Sequence, residues 1–223
     1  MPDNPTSSSL VAGSPDAWAE YWEQVHSRGQ GAQRSWYQQV PTTSLELLAE
    51  AEVAKDGLVL DVGGGATGIA RWCLERGWRR VAVLDISAKA LDEARSLAGE
   101  SSTAIQWHIG DVRQWSCPEP VACWHDRATF HFFVDPSDQA LYLGSLARSL
   151  GPGGVAILGV FGPEGPESCS GLPIRRYAPD ELARVVLDAL GGDGKVISSR
   201  YELHVTPQGV KQQFSWVAVR RSP

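Results

Sequence analysis

The run Leu58-Val59-Leu60-Asp61-Val62-Gly63-Gly64-Gly65-Ala66-Thr67-Gly68 decides how the rest of the chain is read. Apolar residues suited to a buried parallel strand pass straight into a glycine cluster, and a helical pattern follows from Ile69 to Gly77. Glycines at a strand-to-helix turn permit positive φ and let a ligand approach the backbone with no Cβ in the way. The helix that starts there offers unpaired N–H groups to the same ligand. Gly63, Gly65 and Gly68 satisfy G-x-G-x-x-G, so a nicotinamide or flavin site is one reading. Two carboxylates favour another. Asp61 stands at the carboxyl end of the strand, where it would repel a pyrophosphate and suits an ammonium group. Asp85 ends the next apolar strand, Val81-Ala82-Val83-Leu84, and can accept hydrogen bonds from both hydroxyls of a ribose.

An adenosine with a cationic tail and no phosphate describes S-adenosylmethionine. Leu58 to Gly68, then Leu84-Asp85-Ile86-Ser87, then Gly110-Asp111-Val112 resemble the successive cofactor motifs of class I S-adenosylmethionine-dependent methyltransferases. The resemblance spans most of the chain. It implies a Rossmann-like α/β fold, a three-layer sandwich around a mostly parallel seven-stranded sheet closed by a C-terminal antiparallel hairpin. It also implies N-terminal helices folded over the cofactor, and S-adenosyl-L-homocysteine as the product. The cofactor residues it points to are Asp61, Gly63, Gly65, Asp85, Ile86, Asp111 and Val112, with Trp36 and His125 beside them. Asp111 would take the adenine amine and Val112 would offer its backbone N–H. Asp111 also reads as a turn aspartate that caps its own loop.

A chain of 223 residues is long enough for one domain with a sizeable core. The net charge of −6 argues against a general electrostatic grip on nucleic acid. Cys73, Cys117, Cys123 and Cys169 have neither C-x-x-C spacing nor paired histidines, so no metal site is expected. No apolar run approaches the length of a membrane span, and no membrane partner is expected. Residues 1–14 are rich in Ser, Pro and Asn without a signal-peptide pattern, and read as a disordered leader on a cytoplasmic protein. The remainder, 15–223, reads as one methyltransferase domain, monomeric or a weak homodimer.

Within it, residues 15–52 are expected to form lid helices. Trp18, Tyr21, Trp22 and Val25 fall at helical spacing, Thr43 or Ser44 can cap a second helix, and Trp22, Trp36 and Tyr37 are candidates for the lid or for ordinary core. Strands are expected over 57–62, 81–84, 104–108, 120–125 and 154–161, and helices over 68–77, 88–98, 137–149 and 179–190. That alternation predicts a parallel sheet with right-handed crossovers. Two last strand-like runs, joined by Thr206-Pro207-Gln208-Gly209, predict the hairpin, where a dinucleotide fold would continue with crossovers.

The fourth strand leaves the sheet through Cys123-Trp124-His125-Asp126-Arg127-Ala128-Thr129-Phe130-His131. Ionisable groups concentrated at a strand end suggest a pocket wall. The W-H-D-R-A run is similar to the W-D-R-G run of thiopurine methyltransferases, with His125 inserted and Ala128 in place of glycine. Methyl transfer requires positioning of a nucleophile and, where needed, removal of its proton. Asp126, Arg127 and His131 are the catalytic candidates. Arg127 can hold a substrate carboxylate or pair with Asp126. His131, one helical turn after Arg127 if a helix begins at once, suits a general base. The segment 162–171 is loop by composition, and it either covers the substrate or merely connects. The leading expectation is methyl transfer to a small molecule, a thiol or heterocycle favoured. A protein lysine methyltransferase, an NAD-binding oxidoreductase and a non-catalytic cofactor-binding subunit are the alternatives.

Overall fold

The computed structural model describes residues 15–28, 31–65 and 68–223, so the expected leader and the Ala66-Thr67 pair of the glycine turn lie outside the described residues. β1 (Leu58–Val62) is buried along its whole length, as befits a strand covered on both faces. It pairs in parallel with β2 (Arg80–Asp85) on one side and β4 (Val121–Arg127) on the other. β3 (Ile105–Ile109) lies outside β2, and β5 (Leu150–Phe161) outside β4. β9 (Lys211–Arg221) then runs antiparallel between β5 and β8 (Gly194–Val205). The order β3-β2-β1-β4-β5-β9-β8 is the expected seven-stranded sheet closed by an antiparallel hairpin. Strand order reverses between β1 and β4, and a crevice opens there at the carboxyl ends.

Period-two alternation sorts the side chains into two cores. Leu58, Leu60, Val62 and Trp124 pack with Tyr142 and Leu146 of α5 (Pro136–Ser149) and with Leu182 and Val186 of α6 (Pro179–Ala189). Val59, Val83 and Cys123 pack on the opposite face. Their partners there are Leu47 and Leu48 of α2 (Thr42–Glu50), Ile69 and Cys73 of α3 (Ile69–Glu75) and Leu91 of α4 (Ala88–Ala98). Capping fixes where the helices enter. Ser87 Oγ accepts the Ala90 N–H of α4, and Asp135 accepts the Ser137 N–H at the Pro-initiated start of α5. α1 (Pro15–Ser27) packs against α4, and its Trp18 packs on Phe132 and Leu172.

Three local features differ from the sequence expectation. β4 continues two residues past 125, because His125, Asp126 and Arg127 keep their ladder partners Ile157, Leu158 and Gly159 on β5. No α-helix follows Arg127. Asp126 accepts the Thr129 and Phe130 N–H groups (2.9 and 3.1 Å), and a single 3-10 turn at Phe130–Phe132 results. The stretch 162–171 is not all loop. β6 (Ser168–Cys169) pairs with β7 (Leu172–Pro173) around Ser170 and Gly171, both at positive φ. Among the described residues no helix is long and apolar enough to cross a membrane, and no acid, histidine and cysteine cluster is placed to hold a metal ion.

Candidate active site

The glycine turn is built for contact. Gly63 takes a φ of 63°, and its N–H donates to the Leu84 carbonyl at 2.7 Å. A Cβ at 63 would stand 1.9 Å from Thr129 Oγ1, and one at 64 would stand 2.1 Å from Asp61 Oδ2. The turn therefore tolerates no side chain on either residue. Gly65 N–H donates to Asp85 Oδ2 at 3.0 Å, while Asp85 Oδ1 accepts the Ser87 N–H at 2.9 Å. Burial pushes the Asp85 carboxyl up to about 6, with those hydrogen bonds opposing the rise.

Beside the turn lies a cleft open to solvent, with an internal volume of about 110 Å³. Val62, Gly63 and Leu84 form part of its lining, Trp18, Trp22 and His26 of α1 stand over it, and Cys169 and Ser170 of the β6–β7 hairpin border it. α1 is held in place by polar contacts from Tyr21 and Glu23. Tyr21 donates to the Ser170 carbonyl. Glu23 Oε1 accepts from Ser87 Oγ (3.1 Å) and from the Lys89 N–H (3.2 Å) at the start of α4. Farther along, Glu93 of α4 accepts from Arg34 Nη1 at 2.7 Å and sits 3.5 Å from His26 Nδ1.

Trp36, Gly63, Asp85, Ile86, Asp111, Val112 and Arg127 all line the cleft. Asp111 is engaged already. Its carboxylate takes the Arg113 N–H at 2.9 Å and Arg113 Nη2 at 2.6 Å, so it caps its own turn, and Arg113 continues to Asp138 at 2.8 Å. Five residues expected at the site lie behind the wall instead. Asp61 is 2% exposed beneath the turn, with Oδ1 2.7 Å from His125 Nδ1. His125 Nε2 is 2.9 Å from Ser44 Oγ of α2. Ser44, His125 and Asp61 thus form a buried hydrogen-bonded chain that props the turn, and His125 is not beside the cofactor position because it lies one strand period deeper than Arg127. Gly65 is turned toward Asp85 rather than the cleft.

Asp126 is a correction. It points into the Trp124–Tyr142 core, accepts Tyr142 Oη at 2.5 Å and pairs with no arginine; burial raises its carboxyl to about 7. His131 is the other. It is fully buried among Phe132 and Phe161, accepts the Phe161 N–H at 3.4 Å, and is pushed down to about 3 by burial and then by the Arg127 charge. A histidine so placed is a weakened base and does not border the cleft, so the structure does not bring it to the position expected of a general base. Trp18 and His26 of α1, Arg113 beyond β3, and Phe132 and Phe133 at the turn after β4 were not assigned to a site and also line the cleft, as do Cys169 and Ser170 of the 162–171 segment.

Residues 59–154, from β1 into β5, match a family model described as a methyltransferase domain. This chain carries a methyltransferase domain on the class I methyltransferase fold. Solved structures repeat the architecture at low sequence identity. A 1,6-didemethyltoxoflavin-N1-methyltransferase from Burkholderia thailandensis, with its substrate and S-adenosylhomocysteine bound, is 18% identical at a TM-score of 0.67, covering 99% of this chain and 93% of its own. A protein described by the conversion of a disulfide bond into a thioacetal group during echinomycin biosynthesis is 18% identical at 0.69, with 92% of each chain covered. An S-adenosylmethionine-dependent methyltransferase from Mesorhizobium loti is 16% identical at 0.61, covering 79% and 96%. No curated protein matches the sequence.

S-adenosylmethionine, the methyl donor of this class, suits the residues of the methyltransferase cleft. Asp85 offers a carboxylate acceptor where a ribose is expected, and Ile86 and Val112 supply apolar contact. A Cβ at Gly63, Gly64 or Gly65 would collide with Thr129, Asp61 or Ala90, so the backbone of this turn stays bare. Arg113, the cation nearest Asp111, is spent on two aspartates and is not available to a pyrophosphate. The buried carboxylate of Asp85 would repel it.

Proposed function

We propose that this methyltransferase transfers the methyl group of S-adenosylmethionine to a nucleophilic atom of a small molecule, in the cytoplasm, with residues 15–52 acting as a lid. The observation that carries this is the aromatic lining: Trp18, Trp22 and Trp36, all from residues 15–52, border the same cleft as the glycine turn. A protein segment needs a groove rather than a cleft of this size, so the lysine methyltransferase reading is the weaker one. Bound S-adenosylmethionine would supply an electrophilic methyl group and a leaving group that needs no acid.

Arg127 apart, the ionisable side chains at the cleft are already engaged or held in an unreactive form. Asp85 holds the glycine turn, Asp111 holds Arg113, and His26 contacts Arg34 and Glu93, with burial foremost in keeping its imidazole neutral. Burial pushes the Cys169 thiol up to about 11. With no unengaged base at hand, the acceptor is one that is nucleophilic without strong help, a thiol or a ring nitrogen. The similar Burkholderia thailandensis protein is named as an N1-methyltransferase, in keeping with that reading. Calorimetric titration with S-adenosylhomocysteine and with NAD, followed by an activity screen over thiols, heterocyclic amines, phenols and a lysine peptide, tests it. Binding of S-adenosylhomocysteine alone and turnover of a thiol or heterocycle is the expected result. Binding of NAD, or turnover of the peptide alone, overturns it.

A further inference from the structure

Arg127 is the side chain at the cleft whose chemistry nothing so far uses. It is only 5% exposed, yet it forms no ion pair with any described residue. Its Nη1 donates to the Trp36 carbonyl at 2.8 Å, and its guanidinium lies over the Phe214 ring, 4.8 Å from the centroid. Nε and Nη2 are buried and have no hydrogen-bond partner. A guanidinium with open N–H groups in a desolvated place is strongly unfavourable unless a ligand satisfies it. The two free donors are adjacent edges of one planar fork, the arrangement that grips two oxygens of one anion. Its neighbours at the cleft are Trp36, Ala128, Cys169 and Ser170, on the β4–β5 side of the glycine turn. The ribose and adenine positions, Asp85, Ile86 and Val112, are on the β2–β3 side.

We infer that Arg127 binds a carboxylate, or an equally compact anion, carried by the methyl acceptor, so that the enzyme's substrates are acids. The inference rests on the methyltransferase reading of the cleft and narrows its substrate class. The amino acid tail of the cofactor carries the same chemistry and is the competing source.

The test uses matched probes: 2-mercaptobenzoate against thiophenol, nicotinate against nicotinamide, and salicylate against phenol. Each is titrated calorimetrically into the full-length protein, free and saturated with S-adenosylhomocysteine. At least one acid should bind about 30-fold or more tightly than its neutral twin, the scale of a desolvated charge-assisted pair. Arg127→Gln should erase that preference and Arg127→Lys should retain part of it, with thermal melts confirming that both variants fold. No acid preferred over its twin, or a preference that survives Arg127→Gln, overturns the inference. S-adenosylhomocysteine and 5′-methylthioadenosine separate the two sources. If Arg127→Gln weakens the first tenfold and spares the second, the anion is the cofactor's own carboxylate and the assignment to the acceptor is overturned. If S-adenosylhomocysteine fails to bind the wild type, the cofactor reading fails. The acid preference measured on the free protein still decides the role of Arg127.

Discussion

Replacing Asp85 with asparagine removes the charge at the ribose position while keeping one acceptor oxygen and the shape of the side chain. In the free protein the carboxylate holds the Gly65 and Ser87 N–H groups and is otherwise buried, which lifts it from 3.8 to about 6. Two ribose hydroxyls would add charge-assisted hydrogen bonds of about 1.5–3 kcal/mol each. Allowing for the oxygen that asparagine retains, Asp85→Asn should cost about 3 kcal/mol, or about 10²-fold in affinity for S-adenosylhomocysteine at pH 8. The wild-type affinity should also depend on pH. Ligand hydroxyls favour the carboxylate, so below about 6 binding must displace a proton and affinity falls with each further unit. Folding runs the other way. A folded pKa raised above its unfolded value gives stability that is full below 3.8 and is lost as pH rises through about 6. Calorimetry at pH 8, 6 and 5 reads both effects: the variant should be weak and flat, the wild type tight at pH 8 and weaker at pH 5. A variant within threefold of wild type at pH 8, or a flat wild-type profile, would refute the assignment of Asp85 to the ribose.

His131→Asn keeps an acceptor near the Phe161 N–H and removes the buried imidazole. Because the folded pKa is depressed from 6.5 to about 3, His131 contributes stability that is present above 6.5 and lost as pH falls, about 2 kcal/mol by pH 5. Urea titrations at pH 7.5 and 5.0 should therefore show a flatter pH dependence for the variant than for wild type, and equal slopes would count against a buried neutral imidazole. Its turnover should show no loss of a histidine-like limb in the pH profile. Gly63→Ala places a Cβ 1.9 Å from Thr129 Oγ1 at a φ of 63°, so cofactor affinity should fall more than tenfold by calorimetry; unchanged affinity would mean that the turn is not the cradle. Glu23→Gln loses the charge that receives Ser87 Oγ and the Lys89 N–H, so if α1 is a lid, KM for the methyl donor should rise about three- to tenfold with kcat little changed, and an unaltered KM would argue that α1 is merely packed there.

The sheet was legible because its strands carry unbroken apolar runs and its turns carry Gly and Pro. Order and closure followed from the alternation and from Thr206-Pro207-Gln208-Gly209. The cleft was legible where a motif sits on a strand end, as with Gly63, Asp85, Ile86, Val112 and Arg127. Residues brought in from afar were harder to see. Cys169 and Ser170 sit on a two-residue hairpin too short to show periodicity, and Phe132 and Phe133 follow a turn that Asp126 creates through backbone bonds. Asp85 and Asp61 look alike in sequence. They differ only in that Asp61 meets His125 whereas Asp85 borders the cleft.

The end of β4 shows why a cluster of ionisable residues need not be a catalytic cluster. Pleating sends Trp124 and Asp126 toward α5, while His125 and Arg127 face the other side. Asp126 lies in a closed core and finds Tyr142 Oη and two backbone N–H groups, enough donors for a buried carboxyl to be tolerated there. His125 finds Asp61 and Ser44. His131, carried past the strand by the turn, finds one N–H and aromatic rings. Asp126 and His125 are accounted for by the fold, whereas His131 keeps a buried Nε2 with no partner. Arg127 alone combines deep burial, a permanent charge and open donors at the cleft, and a fold that had no use for those donors would have little reason to keep them out of water.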